Sequence, residues 1–348
     1  MNDLHTNDLE LSAYDYDLPE RLIAQTPAQQ REKSRLMAYS RAQDKVFHTV
    51  FDALHEYLDP GDVLVVNNSK VFPARVFGEK SHTGTSFEFL LLHESAPLRW
   101  EALAKNSKRI KAGYTFNFPA GVTAEVIETL PAGHVVLQFN CPQGFWEWIQ
   151  AHGEIPYPPY IQSREADSER YQTIFDGPTG SVAAPTAGLH FSEAYKQTLQ
   201  DYGLHFAELT LHVGIGTFMP VRTEKITEHP MHSEHYILPE ATAQLLTQQR
   251  AKGHRVVAVG TTATRTLESV YRKYGGFRAD QDSTRLFLYP GQTIQSIDAL
   301  ITNFHLPQSS LLMLVSAFIG REKMMSLYEE AIAESYRFYS FGDATLLF

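Results

Sequence analysis

Two loops between residues 181 and 218 bring glycine, threonine and histidine together where a plain core strand would carry valine or isoleucine. The first loop reads Ala-Pro-Thr-Ala-Gly-Leu-His and ends at His190, and the second reads His-Val-Gly-Ile-Gly-Thr and begins at His212. Glycine lets the main chain approach a ligand, threonine supplies a hydroxyl group, and histidine moves protons near neutral pH. The pattern predicts a binding site with acid–base chemistry. Either loop alone also fits histidines that are hydrogen-bonded inside a core.

A third polar turn, Gly-Thr-Thr-Ala-Thr-Arg from Gly260 to Arg265, stands where a predicted strand leads into a predicted helix. Free N–H groups and hydroxyls at such a junction suit a ribose, a carboxylate or a phosphate. The spacing matches neither the dinucleotide-binding fingerprint nor a P-loop. A well-capped helix without a ligand is the alternative interpretation.

Three further polar groups lie near predicted element ends. Glu234 stands between His232 and His235, but His-x-Glu-His lacks the i, i+4 spacing of the helical zinc motif and no third ligand is evident, so we expect no metal. Asn303 and His305 follow a predicted strand and precede an apolar helix, which is where ligands of α/β sheets usually bind. Asp343 follows Gly342 in an aromatic segment. A carboxylate is not expected in a core strand, so this residue is a candidate functional group.

Composition narrows the class of protein. The chain has 348 residues, 43% of them hydrophobic and 20% charged, which is typical of a globular protein with two domains. One cysteine excludes an internal disulfide, the N-terminus carries no signal-like apolar segment, and no apolar run could span a bilayer, so we expect a cytoplasmic protein.

The net charge of −10 argues against a protein that coats nucleic acid nonspecifically, yet residues 105–111 contain four cations and no acid. This run could bind phosphates, or it could be a solvated surface loop.

The elements that position these residues fall into two groups. Four short strands are predicted with no helix between them, at 87–92, 100–104, 122–128 and 134–139, and they favour a small barrel or sandwich. After residue 180 strands and helices alternate, with helices at 193–202, 239–252 and 263–274, further helical segments from Ser309 and Glu322, and strands at 205–213, 255–259, 285–289 and 299–304. A strand at 62–67 most simply joins this second group. We therefore expect an α/β domain of residues 1–73 and 155–348, with covering helices on a sheet or barrel, and an inserted β-barrel domain at 74–154.

Taken together, the motifs resemble the family of S-adenosylmethionine:tRNA ribosyltransferase-isomerases of queuosine biosynthesis. The similar segments occur in order along nearly the whole chain: 15–25, 66–75, 153–161, 169–173, the two opening loops, 232–236, 260–265, 303–307 and 341–344. One departure is Gln292, which follows Pro290-Gly291 where an aromatic residue is expected.

The resemblance implies an α/β domain with an inserted barrel and an unusual reaction. The ribosyl group of S-adenosylmethionine would move to 7-aminomethyl-7-deazaguanine at the wobble position of the tRNAs for Asp, Asn, His and Tyr. The products would be epoxyqueuosine, adenine and methionine. S-adenosylmethionine is then a consumed substrate, no cofactor is expected, and the protein is expected to act as a monomer without a membrane.

Residue roles follow from these positions. We expect proton transfer at His190 and His212, with Glu234 or Asp343 as partner, and the choice of base stays open. Substrate contacts are expected from Thr186, Gly188, Gly214, Gly216, Thr217, Gly260, Thr261, Thr262, Arg265, Asn303 and His305. The cations expected to contact tRNA are Lys70, Arg75, Lys105, Lys108, Arg109 and Lys111.

Two other classes of protein remain open from the residues alone. An enzyme that uses S-adenosylmethionine on a small molecule would explain the loops and leave the cations at 105–111 without a role. A noncatalytic RNA-binding module would explain the cations and not the loops.

Overall fold

The computed structural model describes residues 6–162, 169–214, 216 and 221–348. The chain divides into two compact units. The first consists of the described residues of 1–69, 159–178 and 184–348, and the second consists of 70–158 and 179–183. The insertion expected at 74–154 lies within the second unit.

Strands and α-helices are numbered along the chain. The described strands are β1 (Arg35–Ser40), β2 (Lys45–Val50), β3 (Val63–Asn67), β4 (Lys70–Val71), β5 (Arg75–Lys80), β6 (Ser86–Ala96), β7 (Arg99–Ala104), β8 (Thr115–Asn117), β9 (Thr123–Thr129), β10 (His134–Asn140), β11 (Thr179–Ser181), β12 (His205–Leu211), β13 (Glu234–Leu238), β14 (Val256–Val259), β15 (Asp280–Thr284), β16 (Ala299–Asn303) and β17 (Ala344–Leu347). The α-helices are α1 (Phe145–His152), α2 (Glu193–Tyr202), α3 (Glu240–Ala251), α4 (Thr261–Tyr274), α5 (Ser310–Ile319) and α6 (Arg321–Ala333).

The first unit is built on a nine-stranded mixed sheet in the order β15-β13-β12-β3-β14-β16-β17-β1-β2. Strands β12, β3, β14 and β16 are consecutive parallel neighbours, so their carboxyl ends meet at one edge. Every residue of β3, β14 and β16 is buried, which explains why these strands are continuous apolar runs in the sequence. Leu64, Val257 and Ile301 pack in one core cluster with Phe191 and Leu199.

Helix α2 begins and ends where local sequence signals place it. Ser192 caps α2, because its hydroxyl accepts a hydrogen bond from the N–H of Tyr195 at 3.2 Å, and Gly203 ends the helix in the left-handed conformation. No described helix combines the length and the apolar character needed to cross a membrane.

The second unit contains a closed barrel of six antiparallel strands in the order β10-β7-β6-β5-β8-β9. Its interior is aromatic: Phe89 contacts Phe116 at a ring-centroid distance of 4.9 Å, and Trp100 stacks on Phe145 at 5.0 Å. Alternate residues of β10 are buried, which is the period of two that a half-buried strand requires.

The predicted α/β unit and barrel are confirmed, and one predicted strand is wrong. The chain from Arg285 to Tyr289 has no regular structure, and the strand lies instead at β15, where it pairs with β13. Most of β15 is solvent-exposed and polar, because it is the edge strand of the sheet. Its residues therefore lack the apolar pattern by which a strand is recognised.

Candidate active site

A cleft of about 620 Å³ opens at the edge of the sheet where parallel strands end. It lies beside the ends of β14 and β16 and the first turn of α4, and the loop after β12 contributes Val213. Its polar lining includes six residues that the sequence placed in contact with substrate: Thr186, Gly260, Thr261, Thr262, Asn303 and His305. We call this space the main cleft.

The first turn of α4 presents main-chain donors to the main cleft. Gly260 takes a φ of 94°, which strongly favours glycine, and a Cβ atom there would stand 3.4 Å from the Cβ of Ala187. No side chain caps the helix, so its first N–H groups and the positive end of its dipole are available to an oxygen-rich ligand. The hydroxyl of Thr262 is buried and has no hydrogen-bond partner within the described part of the chain. An unpaired buried hydroxyl is costly, which points to a group that is bound during function.

His190 is held in a chain of hydrogen bonds. Thr186 donates its hydroxyl proton to Oδ1 of Asn303 at 3.0 Å, and Nδ2 of Asn303 lies 3.1 Å from Nε2 of His190. Nδ1 of His190 lies 2.8 Å from the Ser34 hydroxyl, which in turn donates to the carbonyl of Arg31. These partners fit a neutral imidazole that carries its proton on Nδ1 and accepts from Asn303 through Nε2.

The pKa of His190 is lowered to about 3, by burial first and then by the charges of Arg31 and Arg337. Its ring also stacks on Phe51 at 5.0 Å. Because both ring nitrogens are engaged, the geometry favours a role in positioning the amide of Asn303 over the proton transfer expected from the sequence.

His305 lines the main cleft itself. Its Nε2 lies 2.9 Å from the hydroxyl of Thr302, and its main-chain N–H donates to the Tyr328 hydroxyl at 3.0 Å. Burial lowers the pKa of His305 to about 3, so the ring is neutral at physiological pH. A neutral imidazole can contact a purine or a ribose by hydrogen bonding without adding charge.

Arg265 and Glu234 form a buried ion pair in a second cavity of about 450 Å³, which shares Leu311 with the main cleft. Their side chains are only 7% and 6% exposed. Glu234 also accepts the N–H of Gly214 through Oε1 at 3.0 Å, and Arg265 donates through Nε to the carbonyl of Leu286. Nη2 of Arg265 is buried without a hydrogen-bond partner among the described residues. The pair thus leaves one guanidinium donor for a ligand. Gly216 lines the same cavity, whereas Thr217 lies outside the described residues.

His212 lies just beyond the end of β12. Its Nδ1 is 2.9 Å from the hydroxyl of Ser69, and its ring stacks on that of His235 at 6.2 Å. Nε2 makes no hydrogen bond within the described ranges of the chain. Burial, and to a lesser extent His235, lowers the pKa of His212, so its ring is unprotonated near neutral pH. Of the four residues expected to transfer protons, His212 is the one whose contacts leave a ring nitrogen open.

Asp343 fixes a loop that lines the main cleft. Its two carboxylate oxygens accept the N–H groups of Arg35 and Arg337 at 2.9 and 2.8 Å. Burial raises the pKa of Asp343. The loop that it holds carries Tyr339, which has a φ of 73°, and Ser340. Asp343 therefore shapes the cleft through main-chain contacts.

Tyr160, Tyr339 and Ser340 are among the cleft residues that were not predicted. The rings of Tyr160 and Tyr339 lie 4.6 Å apart, and the hydroxyls of Tyr160 and Ser340 are 2.7 Å apart. Their hydroxyl groups were the available signal, but aromatic residues in a proline-rich and an aromatic segment are usually packing residues. Gly188, by contrast, packs against Thr173, where a Cβ would approach Cγ2 to 2.9 Å.

The cations expected to contact tRNA all belong to the second unit. Arg75 and Lys105 share the carboxylate of Glu88, at 3.4 and 3.3 Å, and Lys70 is exposed. Lys108, Arg109 and Lys111 are exposed, and none of them has a carboxylate of the described chain within 4.0 Å. Buried Ile110 anchors the segment that carries them.

No group of three or more metal-binding side chains was found among the described residues. A cleft at the carboxyl ends of parallel strands, lined by hydroxyl, amide and imidazole groups, is the arrangement of an α/β enzyme.

Comparison with known proteins identifies the family. A family model described as "Queuosine biosynthesis protein" matches residues 11–347. The chain is 47% identical over 340 residues to the S-adenosylmethionine:tRNA ribosyltransferase-isomerase of Staphylococcus haemolyticus, which covers 97% of this chain and 100% of that protein. The namesake from Natranaerobius thermophilus is 47% identical over 344 residues, with 97% and 99% coverage.

A crystal structure of S-adenosylmethionine tRNA ribosyltransferase from Thermotoga maritima is also similar, with a TM-score of 0.55, 35% identity, and coverage of 97% of this chain and 100% of that one. The chain belongs to the queuosine biosynthesis family of S-adenosylmethionine:tRNA ribosyltransferase-isomerases, and it is an enzyme.

Proposed function

We propose that this enzyme transfers and isomerises the ribosyl group of S-adenosylmethionine onto 7-aminomethyl-7-deazaguanine at the wobble position of tRNA. The products are epoxyqueuosine in the tRNA, free adenine and free methionine. The main cleft supports this proposal most strongly, because the uncapped first turn of α4 and the unpaired hydroxyl of Thr262 offer donors to a ribose.

S-adenosylmethionine is a substrate in this proposal, and no cofactor takes part. Its adenosine would lie against Gly260, Thr261 and Thr262, with Asn303 and His305 as further polar contacts. Its amino-acid end carries a carboxylate, and the second cavity offers the buried donor Nη2 of Arg265 to such a group. Because Glu234 holds the Arg265 guanidinium, this donor is preorganised.

Two proton transfers are needed: a base must remove a proton from the carbon beside the sulfonium, and an acid must assist the loss of adenine. We assign the base to His212, whose Nε2 is open and whose Nδ1 is oriented by Ser69. The lowered pKa keeps its ring neutral, and Nε2 accepts a proton in the tautomer whose Nδ1–H donates to Ser69. His190 and Asp343 position the cleft through Asn303 and the loop at Ser340. Glu234 acts through Arg265 and Gly214.

The tRNA substrate is proposed to be one of the species for Asp, Asn, His or Tyr, and its modified base lies in the unpaired anticodon loop. Presenting such a base costs less than flipping one out of a duplex. The cations of the second unit support tRNA binding, and Lys108, Arg109 and Lys111 have the least neutralised charge among them. We further propose that the enzyme acts as a cytoplasmic monomer.

The decisive experiment incubates the protein with S-adenosylmethionine and a tRNA that carries 7-aminomethyl-7-deazaguanine. Stoichiometric release of adenine and methionine, together with epoxyqueuosine in the digested tRNA, is expected. Release of adenine without any change in the tRNA would contradict the proposal, and so would turnover on the free base or on a small molecule alone. The same tRNA with unmodified guanine is the control and should give no release.

A further inference from the structure

A third cavity, of about 280 Å³, lies in the first unit, and the function proposed above assigns no ligand to it. Its polar lining includes Arg31, Ser34, Arg170, His190 and Ser340. No Asp or Glu occurs among the described residues that line it. Ser340 also lines the main cleft, so the two spaces adjoin. We call this third space the arginine cavity.

Main-chain carbonyls fix both guanidinium groups of the arginine cavity. Arg170 donates to the carbonyls of Ala28 and Gln29 at 2.7 and 3.2 Å. Arg31 donates to those of Leu189 and Gln172 at 3.1 and 2.9 Å. Nε of Arg170 is buried and lacks a hydrogen-bond partner within the described chain. Carbonyl oxygens orient the guanidinium of Arg170 without cancelling its charge, so its Nε suits an oxyanion.

The remaining polar groups of the cavity do not oppose an anion. His190 is neutral, and its Nδ1 proton is directed to Ser34, whose hydroxyl donates to the carbonyl of Arg31. After burial, the charges of Arg31 and Arg337 are the next causes that depress the pKa of His190, which indicates a positive potential here. The carboxylate of Asp343, next in sequence to Gly342 of the lining, is occupied by two main-chain N–H groups.

We infer that the arginine cavity binds one phosphodiester group of the RNA substrate, next to the nucleotide that is modified. The inference rests on the proposed function only in taking RNA as the substrate. Arg170 lines the cavity with Arg31 and keeps a buried Nε donor, which can bind a phosphate oxygen, and the shared residue Ser340 places that phosphate beside the main cleft. His190 belongs to both spaces, since it lines the arginine cavity and accepts from Asn303 of the cleft.

The first test measures the affinity of an anticodon stem-loop RNA as a function of salt, without S-adenosylmethionine. Arg170→Gln should weaken binding about 10-fold and reduce the slope of log affinity against log salt by about 0.7–0.9, the value for one phosphate contact. Arg250→Gln is the control, because Arg250 also donates to two carbonyls, those of Gln295 and Ser296, but its charge is paired with Asp298. It should leave the slope unchanged, and an unchanged slope for Arg170→Gln would overturn the inference.

The second test places a neutral methylphosphonate at single positions of the same RNA. At one position the methylphosphonate should lower the affinity of the wild type but should not lower that of Arg170→Gln any further. Arg170→Lys should retain most of the dependence of affinity on salt. Losses that add at every position would overturn the inference. Arg170-dependent stabilisation by inorganic phosphate without any such position would show a free-phosphate site and overturn it as well.

Thermal unfolding of each variant separates a lost contact from a misfolded loop. These tests measure binding and stability and not turnover. Their results can therefore be interpreted even if the proposed reaction is not observed.

Discussion

The two units of the molecule differ in where they keep their polar groups. The first unit buries hydroxyls, amides, imidazoles and an ion pair along the edge where its strands end. The second unit buries an aromatic barrel core, and among its described residues of polar or charged type only Ser181 is buried. Burying polar groups costs free energy unless they are paired, so a fold concentrates them where they serve a purpose. The contrast supports the proposal that the first unit carries the chemistry and that surface charge of the second unit binds tRNA.

The largest effect that would test this contrast is expected at His212. His212→Asn should lower kcat by about 10²–10⁴, the contribution of a general base, while tRNA and S-adenosylmethionine still bind. Exchange of the C5′ hydrogen of S-adenosylmethionine with deuterated solvent should be lost in parallel. His205→Asn, at the other end of β12, is the control and should keep full activity. Wild-type exchange in the His212 variant would remove this residue from the mechanism.

The role of the second unit is tested by replacing three of its cations that have no carboxylate partner among the described residues. Replacing Lys108, Arg109 and Lys111 with glutamine should lower tRNA affinity at least about 10-fold and reduce the salt slope by about 2, because counterions are no longer released at these contacts. The rate constant at saturating tRNA should change little.

A matched triple variant of the first unit replaces three exposed cations, Lys45, Lys252 and Arg278, with the same change in net charge. If it flattens the salt dependence as much as the variant of the second unit does, the division between the units does not hold.

A smaller effect is expected from one hydroxyl of the main cleft. Thr262→Val keeps the shape of the side chain and removes the donor, so the KM for S-adenosylmethionine should rise about 10-fold and that for tRNA should not. Thr266→Val, one turn further along α4, removes a hydroxyl that bonds only to the carbonyl of Thr262 and should leave both constants near their wild-type values. Equal rises in both constants for Thr262→Val would indicate a folding defect.

The smallest effect near neutral pH concerns stability. His190 and His305 have folded-state pKa values lowered to about 3, below the value of about 6.5 in an unfolded chain. The unfolded state therefore binds more protons between pH 6.5 and 3, and the stabilisation present above pH 6.5 is lost as the pH falls. The slope is about 1.4 kcal/mol per pH unit for each histidine well below pH 6.5.

Denaturant unfolding between pH 7 and 5 measures this slope. His305→Asn should remove about half of the contribution of the two histidines. A slope that is unaffected by this substitution would mean that His305 is not held neutral by the fold.

The sequence predicted the elements whose residues follow a simple period. Strand β3 was predicted from its buried apolar run, and helix α2 from its apolar period, its serine cap and its terminal glycine. Strand β15 was misplaced because its exposed edge position removes the apolar signal. The loops proposed to form the site were recognised in the sequence because they combine glycine, threonine and histidine.

The different roles of the histidines could not be predicted from the sequence. His190 and His212 occur in similar loops, yet one has both ring nitrogens engaged and the other has one open, which depends on partners at Asn303 and Ser69. Tyr160 and Ser340 are hydrogen-bonded although they lie 180 positions apart in the chain, and only the fold brings them together.

The position of β17 in the sheet has a consequence for how the protein folds. This strand pairs with β16 on one side and with β1 on the other, so the hairpin of β1 and β2 joins the sheet only through β17. Leu36 and Ala344 are register partners although about 300 residues separate them in the chain, and such long-range pairing is slow to form. During synthesis, β1 therefore remains an unpaired edge that can join strands of other chains. Expression at low temperature or with chaperones should raise the yield of soluble enzyme.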